Sequence, residues 1–173
     1  MGYNVAKDKA YIGYKCHAII GNASRAIYGI RVTPANTGDA RHFIPLMEEA
    51  EARGLLDNIY HAHGDCAYHV PDNQDWLESR WIESKFHDKD ESGLNRTKIR
   101  SARKKSRIRS VIEAFFGIAK NNLTFEKTLV KGNVAVGIDT NLIFSAWNSF
   151  MIFARLEGKW VYRTSVKKLF KKE

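Results

Sequence analysis

The sequence predicts an α/β fold with a mixed sheet, and three observations carry that expectation. Two short stretches near the start alternate β-branched or aromatic residues with polar ones around a turn, as an antiparallel hairpin does. Downstream, segments with helical spacing interleave with short strand-like segments. Hydrophobic residues make up 44% of a 173-residue chain, enough for one domain with a core of its own.

Residues 11–20 carry β-branched and aromatic residues in alternation and end at Gly21-Asn22, a turn pair. Residues 26–33 form the second strand, stopped by the run from Pro34 to Asp39. Asp39 is placed to cap a helix over 40–53, whose apolar face carries Phe43, Leu46, Met47 and Ala50. Gly54 closes that helix. Residues 56–63 read as a strand that ends at Gly64-Asp65, 72–79 as a short helix and 81–86 as another strand. Residues 87–96, rich in Asp, Lys, Ser and Gly, read as a loop. Residues 109–120 then read as a helix, with Ile112, Phe115 and Ala119 at helical spacing and Ile108, Val111 and Ile118 widening the stripe. Residues 123–136 give no clear period and read as loop with partial structure. Residues 138–154 read as a helix that buries Leu142, Ile143, Ala146, Trp147, Phe150 and Phe153. The chain is expected to be a single domain over 1–173, with a basic, frayed tail over 157–173.

Twenty-eight Lys and Arg against 19 Asp and Glu give a net charge of +9. That balance favours a polyanionic partner, nucleic acid first and a membrane surface second. No apolar run is long enough to span a bilayer, and no signal-peptide pattern opens the chain. Cys16 and Cys66 have no paired spacing, which suits a reducing cytoplasm. The basic residues cluster: Arg96, Lys98, Arg100, Arg103, Lys104, Lys105 and Arg107 lead straight into the helix over 109–120. On that helix Arg109, Glu113 and Lys120 fall within about 40° of one another at 100° per residue. One carboxylate thus sits between two cations. A solvated face with an ordinary surface pair, worth a few tenths of a kcal/mol, has the same pattern.

Asp65 follows Gly64 at the carboxyl end of a predicted strand, where sites of open α/β sheets lie. By itself it reads equally well as a turn aspartate. Together with Glu113 it could hold a hard divalent cation such as Mg²⁺, which takes oxygen ligands and activates water against a phosphodiester. The same segment admits a remote alternative. His61, His63, Asp65, Cys66 and His69 have the spacing of zinc ligands, similar to the His-x-His-x-Asp-His pattern of metallo-β-lactamase-like hydrolases. Cys66 stands where that pattern ends in His, and the basic helix is left without a role.

Several stretches in order resemble DDE-type insertion-sequence transposases. Gly13-Tyr14-Lys15-Cys16-His17 is similar to the second strand of their ribonuclease-H-like catalytic domain, and Val32-Thr-Pro-Ala-Asn36 with Gly38-Asp39 to the third strand and its turn. Gly64-Asp65-Cys-Ala-Tyr68 resembles the segment of the second catalytic Asp. Arg109-x3-Glu113-x6-Lys120 matches most of the motif around the catalytic Glu, with Ser106 where the motif begins with Tyr. The resemblance spans residues 10–156. It implies that Asp65 and Glu113 are catalytic and bind metal, Mg²⁺ or Mn²⁺, two ions when a third acid is supplied. It implies that Arg109 and Lys120 hold DNA phosphates, with Arg103, Lys104, Lys105 and Arg107 in the same DNA-binding surface. The partner would be double-stranded DNA, at element ends and target, bound by a homodimer in the bacterial cytoplasm at the nucleoid. The first catalytic Asp belongs on a strand before Gly13-Tyr14, where this chain has only Asp8 and no apolar run. The expected fold is therefore a ribonuclease-H-like mixed sheet flanked by helices and lacking its first strand, from the C-terminal part of the catalytic domain. A chain of that kind is either a transposase or a non-catalytic DNA-binding remnant that regulates transposition.

Overall fold

The computed structural model describes residues 2–4, 9–11, 13–86, 111–121, 123, 125 and 129–158. The fold is mixed α/β. Its described strands are β1 (Gly2–Asn4), β2 (Lys9–Tyr11), β3 (Tyr14–Ile20), β4 (Ile27–Pro34), β5 (His61–Ala62) and β6 (Glu83–Ser84). Its helices are α1 (Phe43–Glu51), α2 (Pro71–Glu78), α3 (111–121) and α4 (Asn133–Leu156). The strands pair as β1 with β2, β3 with β4, and β5 with β6, the last pair parallel and the others antiparallel. Contacts divide the chain into two compact units, one of Met1–Thr37 and Ile112–Glu173, the other of Gly38–Val111.

In the first unit the expected hairpin forms. Its register runs from Tyr14 opposite Pro34 to Ile20 opposite Ile27, with an irregularity between Ile19 and Ile20. The Gly21 N–H donates to the Ala26 carbonyl at 2.9 Å and the Arg25 N–H to the Gly21 carbonyl at 2.8 Å, which closes the loop. Alternation sends Cys16, Ala18, Ile20 and Ile30 toward one core, made of Ile27, Phe115, Ala119, Phe144, Trp147 and Met151. Phe115 meets Phe144 and Trp147 edge to face, with centroids 4.8 and 5.1 Å apart. Burial pushes the Cys16 thiol up to about 12. On the other face of the hairpin, His17 and Thr33 are buried and share a hydrogen bond of 3.0 Å between Nε2 and Oγ1.

Two side chains of α4 bind the hairpin backbone. The Trp147 indole N–H donates to the Arg25 carbonyl at 2.8 Å. Asn148 accepts from the Ile27 N–H at 2.8 Å and donates to the Ile27 carbonyl at 3.0 Å. The buried face of α4 matches the expected one only at Trp147. It consists of Val136, Thr140, Phe144, Trp147, Met151 and Ala154, whereas Leu142 is 66% exposed and Phe153 39% exposed. Ile143 and Phe150 only flank the core, and Ala146 is exposed. The cause is that α4 is apolar nearly all round, so its period leaves the rotation open; Trp147 and Asn148 fix it by reaching the hairpin. The helix also begins five residues earlier than expected, at Asn133, where the Tyr14 hydroxyl accepts the Gly132 N–H at 2.8 Å.

In the second unit the helix expected over 40–53 splits. Residues Asp39–His42 form a 3₁₀ turn, and α1 starts only at Phe43. Pro45, which has no N–H to give, sits in its first turn as the geometry allows. The residue before the turn is Gly38, so Asp39 stands as the first residue of the turn and not at the cap position. Its charge instead lies in the first turn, where the helix dipole favours it. Gly54 ends α1 as expected. At φ +66 it lets its own N–H donate to the Glu51 carbonyl at 2.8 Å and the Leu55 N–H to the Ala50 carbonyl at 3.1 Å.

The helix expected over 72–79 forms as α2, and it ends in the same motif with Trp81 in the glycine position. Trp81 has φ +58, its N–H donates to the Glu78 carbonyl at 3.0 Å, and the Ile82 N–H donates to the Leu77 carbonyl at 3.0 Å. This cap consumes the start of the strand expected over 81–86, leaving β6 two residues long. The strand expected over 56–63 shortens likewise, because Leu56 to Ile59 form a turn with Asp57-Asn58 inside it. Arg80 joins α2 to α1 by a two-pronged pair with Glu51, at 2.7 and 2.9 Å, while its guanidinium lies 3.8 Å above the Trp76 ring. That pairing lowers the Glu51 carboxyl below its usual range.

Candidate functional site

Asp65 owes its position to the short parallel ladder of the second unit. The Glu83 N–H donates to the Tyr60 carbonyl at 2.9 Å and the Lys85 N–H to the Ala62 carbonyl at 2.8 Å. The chain then leaves β5 through Gly64. A Cβ at Gly64 would meet the Phe86 ring at 2.9 Å, closer than real contacts, so only glycine lets the backbone lie against that ring. Phe86 belongs to an aromatic cluster with Phe43, Tyr68 and His69. Directly after Gly64, Asp65 is exposed and its Oδ1 accepts the Cys66 N–H at 2.7 Å. It thereby caps the single turn Cys66–Tyr68.

One residue of this arrangement escaped the sequence reading. Asn73 is 2% exposed, and its Nδ2 donates to the Tyr68 carbonyl at 3.0 Å, tying α2 to the turn that Asp65 caps. The available signal was a polar residue at a buried position of α2, three before Trp76 and four before Leu77.

Glu113 and Lys120 are both exposed on α3. Phe115 and Ala119, at 1% and 0% exposure, pin that helix to its core, so the charged positions turn outward. Seven residues apart, the two lie about 10 Å along the axis, at 1.5 Å per residue. Asp65 belongs to the second unit, Glu113 and Lys120 to the first. Arg103, Lys104, Lys105, Arg107 and Arg109, with Ser106 among them, lie outside the described residues.

The zinc-ligand spacing does not gather into a cluster. Among the described residues no group of three His, Cys, Asp or Glu side chains could hold a metal ion. His61 instead pairs with Glu83 at 3.2 Å on the exposed face of the ladder. Glu83 also pairs with Lys85, and these partners, Lys85 first, lower its carboxyl.

A family profile described as the transposase DDE domain matches residues 2–149, and the chain belongs to that family. The match covers both units' described elements up to most of α4, and contains Asp65, Glu113 and Lys120. Comparison with curated proteins and with solved structures gives no match. Membership supports a transposase function in general, with DNA as the partner and divalent metal use as the family's general habit. No helix among the described residues is long and apolar enough to cross a membrane.

Proposed function

We propose that this chain serves metal-dependent cleavage and strand transfer of insertion-sequence DNA, with Asp65 and Glu113 as two of the acids that hold Mg²⁺ or Mn²⁺. The observation that supports this most is Asp65 itself, an exposed carboxylate fixed at the end of β5 by its own turn, within a transposase DDE domain. The donor chemistry fits a hard cation: both proposed ligands are exposed carboxylates, and the turn that Asp65 caps holds its carboxylate in place. When bound, such ions lower the pKa of a water or 3′-hydroxyl nucleophile and stabilise charge on the phosphorus oxygens. The chain's own residues position and attract. Arg109 and Lys120 would grip phosphates beside the scissile bond, and Arg103, Lys104, Lys105 and Arg107 would bind the flanking duplex. Water would attack phosphorus in line and displace the 3′-oxygen, leaving a 3′-hydroxyl and a 5′-phosphate; that 3′-hydroxyl would then attack a target phosphodiester in line and displace the target's own 3′-oxygen. The family's third acid would come from sequence before Tyr14. Two copies on DNA, at the nucleoid, would hold the two element ends together.

The second reading is DNA binding without catalysis, as a remnant that competes for element ends; the net charge of +9 favours it as much as the first. Nicking of supercoiled plasmid in Mg²⁺ or Mn²⁺ separates the two. Metal-dependent nicking that Glu113→Ala abolishes supports the enzyme. Equal nicking by the variant sinks the role of Glu113, and salt-dependent binding with no nicking at all leaves the regulator. Both readings need the basic run. Replacing Arg103, Lys104, Lys105 and Arg107 with Gln should flatten the slope of log affinity against log salt by roughly 3 to 4, at about 0.9 per phosphate contact. An unchanged slope would remove this surface from the proposal.

A further inference from the structure

The face of α4 turned away from its core is apolar and exposed. Ile138, Leu142, Ser145, Ser149, Ile152 and Leu156 are all exposed on it, with Ile138 at 58%, Leu142 at 66%, Ile152 at 61% and Leu156 at 80%. Their spacing is 4, 3, 4, 3, 4, the rhythm of a helix–helix seam. Val134 and Phe153 flank it. The buried residues Val136 to Ala154 lie about 170° away around the helix at 100° per residue, so the core cannot use this seam.

The seam also reads the same in both directions. Reflection about Trp147 matches Ile138 with Leu156, Leu142 with Ile152, and Ser145 with Ser149. In an antiparallel pair about a two-fold axis residue i meets j while j meets i, so this register sets large apolar residues against large ones and serine against serine. The centre suits close approach. Both central residues are small, and the Ser149 hydroxyl already donates to the Ser145 carbonyl at 3.0 Å, so it needs no outside partner. Ile138, Leu142, Ile152 and Leu156 with the flanking Val134 and Phe153 are 39–80% exposed, an apolar area on the order of the ~800 Å² that each partner of a standard specific interface buries. An anionic membrane fits poorly: α4 carries only Asp139 and Arg155 as charges, with no basic border.

We infer that a second copy of this chain covers the seam, the two α4 helices packing antiparallel across a two-fold axis that passes between Ser145 and Ser149, level with position 147 but on the opposite face from the Trp147 side chain. This deepens the homodimer of the proposed function and rests on that reading only for its use on DNA. The pairing itself is a property of the free protein.

Sedimentation velocity on the full chain without DNA tests it. A dimer is expected at tens of micromolar. Leu142→Glu and Ile152→Lys, each on an exposed position, should each weaken association at least 100-fold while leaving the circular dichroism spectrum unchanged. An equimolar mixture of the two variants should regain the dimer, since the antiparallel pair sets the new carboxylate against the new ammonium. Ser145→Trp, which alters no buried position, is a further probe and should loosen the pair as well. A monomeric wild type at 100 µM overturns the inference, as do variants that dimerise like the wild type or a mixture that stays monomeric. None of these outcomes bears on metal-dependent nicking, so the pairing and the catalytic reading stand or fall separately.

Discussion

At Asn148 one amide satisfies both backbone groups of Ile27, 121 residues away. Replacing it with Leu keeps the branched side-chain skeleton and strands a partly buried N–H and C=O, a loss of about 1–3 kcal/mol. For a chain of this size that corresponds to a fall in Tm of roughly 2–4 °C per kcal/mol. Thermal melting of Asn148→Leu checks it, and an unchanged midpoint would show the bond to be idle. Nothing in the sequence marks Asn148, because a polar residue in an apolar helix reads as facing water. Asp65 and Glu113 can be proposed from sequence for the opposite reason: each sits in a short motif whose spacing carries chemistry whatever the packing. Asn73 lies between these cases. Its helical phase marked it as buried, while its bond to the Tyr68 carbonyl depended on a turn no period announces.

Among the elements, the hairpin, α1, α2 and α4 followed from alternation, helical period and Gly54. What failed were boundaries and one rotation. Strands β5 and β6 shrank because turn residues at one end and a helix cap at the other took their first positions. Helix α4 turned because an all-round apolar sequence does not choose its own face. The two helix ends of the second unit invite a comparison. Gly54 adopts φ +66 freely, whereas Trp81 holds φ +58 with its side chain 91% exposed and packed on little. A left-handed conformation costs a non-glycine residue about 1–2 kcal/mol. Trp81→Gly should therefore stabilise the protein by about 1 kcal/mol after the added freedom of the unfolded chain is counted. Urea unfolding with an unchanged m-value measures it. A loss of stability would mean that the indole makes contacts worth more than the strain.

Across the whole molecule, charge pointed to a polyanionic partner and the ordered motifs resembled a transposase domain, and the family match over residues 2–149 agrees with that resemblance. Sequence did not show that the first unit is discontinuous, drawing the hairpin from one end of the chain and α3 and α4 from the other. That arrangement has a consequence for biosynthesis. A ribosome releases the hairpin first, with Ala18, Ile20 and Ile27 uncovered, and reaches Trp147 and Asn148 about 120 residues later. At 5–20 residues per second the wait is roughly 6–24 s. During that interval the nascent chain displays a sticky two-stranded ribbon, a natural client for chaperones that sit at the exit tunnel.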